Sequence, residues 1–317
     1  MHDELWPALD YREWKETATT LHLWTQIVGK VRLTLTPWLN HSWHVALYVT
    51  ARGVTTSPIA HRDRSFEIDF DFIDHQLVIR CTDGSTRTIP LRPMTVADFY
   101  QELMSALDEM DLHVRLSATP NEVEQATPFA QDRQHASYDP EYANRFWRVL
   151  LQSDRVFKIF RREFTGKCSP VHFFWGSFDL AVTRFSGRTA PPHPGGVPNL
   201  PDDVAREAYS HEVSSCGFWP GSDAMPQPVY YSYAYPAPDG FADAQVMPAA
   251  ASWNTTFREF VLSYDEVRSA SSPDQTLLQF LRSTYDAAAR LGNWDRAAVE
   301  ATGNWPGQVR SETAPAD

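Results

Sequence analysis

The sequence predicts an α+β fold made of two similar units, each built from a helix, an antiparallel sheet and a second helix. Three observations predict it: helix-spaced apolar residues open each half, alternating strands follow, and the halves match at a constant offset. The chain has 317 residues, of which 43% are hydrophobic and 21% charged. These proportions are ordinary for a folded protein, and the length suits about two domains.

In the first half, apolar residues at spacings of three and four predict a helix over 17–35, which Pro37 ends. From Phe66 to Phe72, apolar residues alternate with acidic ones, the pattern of a half-buried strand. Thr95 predicts the capped start of a helix that ends near Met110. Further strands are predicted over 41–51, 76–81 and 113–117.

In the second half, Asp139 and Pro140 predict the start of a helix that ends near Phe164. One long strand is predicted over 171–185, and a proline-rich loop follows it. Further strands are predicted over 210–219, 229–235 and 257–262. Ser272 predicts the start of the last helix, which ends near Gly292.

The two halves match when the chain is compared with itself at an offset of 133 residues. Identical pairs include Trp14 with Trp147, Pro37 with Pro170 and Thr50 with Thr183. This match predicts an internal duplication. The predicted division is a first unit over 1–120, a linker over 121–137, a second unit over 138–300 and a disordered tail over 301–317.

Charge and cysteine content limit the partners and the compartment. The chain carries 28 Lys and Arg against 40 Asp and Glu, a formal charge of -12, which disfavours nucleic acids and anionic membranes as partners. Three widely spaced cysteines without a CxxC motif favour a reducing compartment. No signal-peptide pattern and no membrane span are recognised. A soluble cytoplasmic protein is expected, with a homodimer left open.

A candidate pocket emerges when the matched strands of the two halves are compared. Large apolar side chains over 66–72 correspond to His211, Ser215 and Gly217 in the second half. A close-packed interior cannot lose this volume without a cavity cost, so the replacement predicts a pocket. Trp219 and Tyr231 are expected to line it, as aromatic residues commonly line small-molecule sites.

The candidate catalytic residues are His172, His211 and Ser215. Imidazole suits acid–base work or metal binding near neutral pH, and a serine beside a base is a candidate nucleophile. The candidate ligand-binding residues are Trp175, Trp219, Tyr231, Glu212 and Asp179. The alternative interpretation makes each histidine a hydrogen-bonded core residue and places outward-facing Trp175 and Asp179 at an interface.

Four segments carry a resemblance to a known family. They are Thr20-Leu-His-Leu-Trp-Thr-Gln-Ile-Val-Gly-Lys-Val-Arg32, Phe66-Glu-Ile-Asp-Phe-Asp-Phe-Ile-Asp74, His172-Phe-Phe-Trp-Gly-Ser-Phe-Asp179 and Tyr209-Ser-His-Glu-Val-Ser-Ser-Cys-Gly-Phe-Trp-Pro220. With them the chain, from about Trp6 to Glu300, resembles a bacterial family known only as domain of unknown function 5996. The resemblance implies no activity, cofactor or catalytic residue.

The function expected from the residues is an enzyme that acts on a small molecule by acid–base or metal-assisted chemistry. A divalent metal is the one cofactor considered. A non-catalytic small-molecule-binding protein and a structural or interaction protein are the alternatives. None of the common nucleotide-binding or hydrolase motifs occurs in the sequence.

Overall fold

The structure, a computed structural model, describes residues 5–303. Within this range the chain forms seven α-helices and twelve strands in two antiparallel sheets, which confirms the α+β class. The helices are α1 (Tyr11–Leu35), α2 (Val96–Glu109), α3 (Pro140–Arg162), α4 (Asp202–Ala208), α5 (Tyr264–Arg268), α6 (Pro273–Leu291) and α7 (Arg296–Val299). The strands are β1 (Tyr48–Val49), β2 (Gly53–Thr55), β3 (Ile59–His61), β4 (Arg64–Asp71), β5 (Gln76–Cys81), β6 (Thr86–Pro90), β7 (His172–Phe174), β8 (Asp179–Thr189), β9 (His211–Trp219), β10 (Val229–Tyr235), β11 (Ser252–Asn254) and β12 (Glu259–Ser263).

Side-chain caps set the starts of the long helices. Thr95 accepts a hydrogen bond from the Asp98 amide at 3.0 Å, and Asp139 accepts one from the Glu141 amide at 2.8 Å, which confirms two predicted starts. Helix α1 begins at Tyr11, earlier than predicted, because Asp10 caps it by accepting from the Arg12 amide. No helix among residues 5–303 is long and apolar enough to cross a membrane.

The first sheet has the strand order β1-β2-β4-β5-β6, with β3 paired to β4. The alternating segment forms β4 as predicted, with Phe66, Ile68 and Phe70 buried. The strand predicted over 41–51 is largely wrong: a 3₁₀ turn occupies Asn40–Ser42, where His41 has a φ of 58°, and only β1 is extended. The strand predicted over 113–117 is also wrong, since these residues form no regular element.

The second sheet has the strand order β11-β12-β10-β9-β8-β7. The long strand predicted over 171–185 is instead a hairpin, because the chain turns between β7 and β8. In this turn Phe178 has a φ of 60°, a left-handed conformation that ends the extended run. The turn changes which side chains share a face: His172 pairs with Ala181 and therefore lies on the face of Ala181, not on that of Leu180.

The two sheets meet at one pair of backbone hydrogen bonds. Leu47 and Phe173 each donate an amide to the other's carbonyl oxygen at 2.8 Å. The Trp175 indole nitrogen adds a bond to the Val45 carbonyl oxygen at 2.8 Å. One buried hydrophobic cluster then runs through both halves, from Trp6 to Trp294. Residues 45–47 and 173–175 therefore tie the first half of the chain to the second.

Both halves have a long helix before their six strands and another after them, with α4, α5 and α7 additional in the second half. This order is compatible with the predicted duplication, which stays a prediction, as does the division at 121–137. From residue 304 onward, the predicted disordered tail lies outside the described residues.

Candidate functional site

A cavity of about 710 Å³ lies between α1 and one face of the second sheet. Three carboxyl groups line it: Glu122, Asp179 and Glu259. Its aromatic walls are formed by Tyr11, Phe178, Tyr209, Trp219, Tyr231, Tyr233 and Phe257. No Lys or Arg is among the described residues that line it. We call it the acidic cavity.

The register of the second sheet determines which side chains reach the acidic cavity. Gly217 on β9 stands opposite Tyr231 on β10 and Ala181 on β8, so these three share one face. The Tyr231 hydroxyl donates a hydrogen bond to Oδ2 of Asp179, at the start of β8. Tyr233 lies two residues farther along the same face, and its ring stacks on Tyr231 with centroids 6.0 Å apart.

Gly217 is required for this arrangement, and Gly217→Ala tests the requirement. An added Cβ would overlap the Tyr231 hydroxyl and would lie 2.5 Å from the Leu180 carbonyl oxygen. We expect a loss of about 1–3 kcal/mol in the free energy of unfolding, measured by chemical denaturation. Part of this loss should disappear in a Tyr231→Phe background, where the hydroxyl is absent. An equal loss in both backgrounds would contradict the role given to Gly217.

Burial without a countercharge perturbs the acidic groups of the cavity. Burial raises the pKa of Asp179 to about 7. The hydrogen bond from Tyr231 opposes this shift, and the charge of Glu122 adds to it. Burial also raises the pKa of Glu259 to about 8, with a further contribution from the charge of Asp179. The pKa of Glu122 is raised by burial, against the hydrogen bond from Ser177. Near neutral pH the acidic cavity can therefore both give and take protons.

Three further side chains of the polar lining are neutral: Tyr209, Tyr233 and His22. The Tyr209 and Tyr233 hydroxyls are hydrogen-bonded at 2.8 Å. Nε2 of His22, on α1, donates to the Gly176 carbonyl oxygen at 2.8 Å, and its ring packs on Phe178 with centroids 4.9 Å apart. Burial lowers the pKa of His22 to about 4, so this imidazole is neutral at physiological pH.

Glu122 reaches the cavity from the segment predicted to be a linker. The backbone of Asn121 is held by Gln26 of α1, which accepts from its amide at 2.8 Å and donates to its carbonyl oxygen at 2.9 Å. The Glu122 amide donates to the Pro198 carbonyl oxygen at 2.8 Å, and the Ser177 hydroxyl donates to its carboxylate at 2.6 Å. These bonds fix the third carboxyl in the cavity wall.

Of the residues predicted from sequence, Trp219, Tyr231 and Asp179 line the acidic cavity. Asp179 was expected to face outward, but it is only 7% exposed and points into the site, because the face of β8 that carries Asp179 and Ala181 is the cavity face and not a solvent face. An interface formed by outward Asp179 is therefore not what the structure shows.

The predicted grouping of the two histidines with Tyr231 in one pocket does not hold. His172 is fully buried among rings that include Trp43 and Phe174, and neither ring nitrogen has a partner among the described residues. Burial and the charge of Arg32 lower its pKa to about 3. His211 is at the opposite end of β9 from Trp219, 6.1 Å from the ring of His41.

Three further candidates also lie outside the cavity lining. Ser215 is buried below Tyr233 and hydrogen-bonded to the Thr183 hydroxyl at 2.8 Å. Trp175 is 5% exposed rather than outward, because it packs against Gly29. Glu212 is paired with Arg188 at 2.7 Å, away from the cavity.

Sequence reasoning missed Glu122, Glu259, His22 and Tyr209 as site residues. Glu259 had a weak signal, since it begins an alternating strand whose other face carries Phe260 and Leu262. Among residues 5–303, no three His, Cys, Asp or Glu side chains are placed to hold one metal ion.

A model for a family of unknown function, DUF5996, matches residues 6–301. No curated protein and no solved structure matches the chain.

Proposed function

The chain belongs to the DUF5996 family, to which no function is assigned, and we propose from the site itself that it is an enzyme that binds a small molecule in the acidic cavity and exchanges a proton with it through Asp179. The observation that carries this proposal is the buried Asp179 carboxyl, bonded by Tyr231 and open to a cavity of about 710 Å³. This volume lies within the range of small-molecule sites.

Asp179 has the properties of a general acid–base group. Its pKa of about 7 means that both protonation states are populated at physiological pH, which is where proton transfer is most efficient. The Tyr231 hydroxyl holds the carboxyl in one orientation, with Oδ2 as the acceptor. Tyr231 itself stays protonated, because burial raises its pKa well above the usual value.

A non-catalytic binding protein is the second candidate, favoured because two nucleophilic side chains of β9, Cys216 and Ser215, do not line the cavity. Cys216 is buried on the opposite face of β9, and burial raises its pKa to about 12. The Ser215 hydroxyl is bonded to Thr183 below the tyrosines. Neither of these two side chains therefore supports covalent catalysis in the cavity.

An untargeted assay separates the two candidates. The protein is incubated with a filtered extract of small metabolites, which are followed by mass spectrometry in solution and in the protein-bound fraction. For an enzyme, we expect the wild type to consume a component and Asp179→Asn to do so about 10²- to 10⁴-fold more slowly. The matched control is Asp154→Asn, a buried aspartate paired with Lys158 at 2.6 Å outside the cavity.

Retention of an unchanged component by the wild type would identify a binding protein and reject catalysis. If no component is either consumed or retained, the proposal is overturned. Equal loss of turnover in both aspartate variants would reject the role of Asp179.

A further inference from the structure

We propose that the molecule bound in the acidic cavity carries a positively charged amino or ammonium group, which lies among Asp179, Glu259 and Glu122. The inference rests on the proposed function only in that the cavity must hold a small molecule. It adds the chemical class of that molecule.

The charges around the acidic cavity are one-sided. Its three carboxyls come from the loop at 122, the start of β8 and the start of β12. The nearby cations are already engaged: Lys15 pairs with Asp223 at 2.8 Å, and Lys30 donates to Asn121 at 2.5 Å. The protein therefore supplies no countercharge of its own to these carboxyls among the described residues.

A cationic ligand would supply the missing charge. Ionised carboxyls that are withdrawn from water and face each other are costly unless a cation is placed between them. The remaining titratable groups around Asp179 cannot do this, since Tyr209, Tyr231 and Tyr233 are neutral and the pKa of His22 is lowered to about 4 by burial. An anionic ligand would meet the same carboxyls and be repelled.

The aromatic walls of the cavity also favour a cationic ligand. Trp219 and Phe257 meet edge to face with centroids 5.8 Å apart, near the stacked Tyr231 and Tyr233. The faces of such rings attract cations, and they attract ammonium groups with bulky apolar substituents especially well. Carboxyls spread around a cavity of about 710 Å³ suit an organic cation larger than a metal ion.

The test compares three probes with one aromatic body and different charge: benzylamine, benzyl alcohol and benzoate. Binding to the full chain is measured by calorimetry and ligand-observed NMR at about pH 8, where the carboxyls are substantially ionised. We expect benzylamine to bind at least about tenfold more tightly than benzyl alcohol, and benzoate to bind most weakly. The affinity for benzylamine should fall toward about pH 5 as the carboxyls take up protons.

Three variants show where the probes bind and which carboxyls set the preference. The double variant Asp179→Asn, Glu259→Gln should lose most of the preference for benzylamine, whereas Glu212→Gln, whose carboxyl is outside the cavity, should keep it. Thr19→Trp places a large ring in the cavity from the surface of α1 and should abolish binding of all three probes. Each variant is first checked for an unchanged circular dichroism spectrum.

The outcomes separate the two proposals. If benzyl alcohol or benzoate binds as tightly as benzylamine and Thr19→Trp abolishes that binding, the cavity is a ligand site but the inferred charge of its ligand is wrong. If benzylamine fails to bind at millimolar concentration, the cationic class is likewise rejected. If the probes bind equally well to Thr19→Trp, the cavity is not the binding site and the proposed function fails as well.

Discussion

Asp179→Asn should make the protein more stable, by up to about 4 kcal/mol at about pH 8, although it removes a buried hydrogen-bonded carboxyl. Burial raises the pKa of Asp179 from 3.8 to about 7. Between these values the folded state keeps a proton that the unfolded state has released, so stability falls as the pH rises through this window. Asparagine has no such proton and still accepts the Tyr231 hydrogen bond.

The measurement is the free energy of unfolding in urea across about pH 4 to pH 8 for the wild type and Asp179→Asn. We expect the two proteins to agree near pH 4 and to diverge as the pH rises. Asp71 provides a control of opposite sign, because the bond from Arg52 at 2.6 Å helps to lower its pKa despite burial. Asp71→Asn should therefore destabilise the protein at neutral pH. An Asp179→Asn difference that does not change with pH would contradict the perturbed carboxyl.

Gly29→Ala should destabilise the protein by about 3 kcal/mol, the second large effect. Gly29 lies inside α1, where alanine is normally about 1 kcal/mol more favourable than glycine. Here an added Cβ would overlap Cδ1 and Nε1 of Trp175, and this ring is held by its bond to the Val45 carbonyl oxygen. We expect the clash to outweigh the helix preference and to weaken the contact of Trp175 with the first half of the chain.

A double-mutant cycle with Trp175→Leu isolates this contact, with stabilities measured by urea unfolding. Once the ring is removed, Gly29→Ala should cost far less and approach the stabilisation expected from helix preference alone. If the cost is unchanged in the Trp175→Leu background, Gly29 is required for a reason other than the approach of Trp175.

Local patterns in the sequence were sufficient for several of the regular elements and for part of the cavity. The alternation on β9 and β10 correctly placed Gly217, Trp219 and Tyr231 on one face, because side-chain direction in a strand depends only on near neighbours. The caps at Thr95 and Asp139 are equally local. The family resemblance predicted from four segments agrees with the match over residues 6–301.

What sequence reasoning missed depends on the path of the chain. The left-handed Phe178 turned one predicted strand into a hairpin, and the pairing of β8 with β9 put Asp179 on the face of Gly217 and Tyr231. Glu122 and Glu259 reach the same space only through long-range hydrogen bonds and strand pairing. His172 is the opposite case, a residue predicted for the site that lies outside the cavity. A buried histidine without a partner has the same sequence signal as a catalytic one.

The acidic cavity draws its walls from α1 and from β12, which stand near opposite ends of the described chain. Contacts between such distant segments form slowly, because a long loop must close before they stabilise anything. During synthesis, α1 is made long before Glu259, so the acidic cavity cannot form until nearly the whole chain is available. We therefore expect ligand-binding competence to appear last in refolding, after the helices and each sheet have formed.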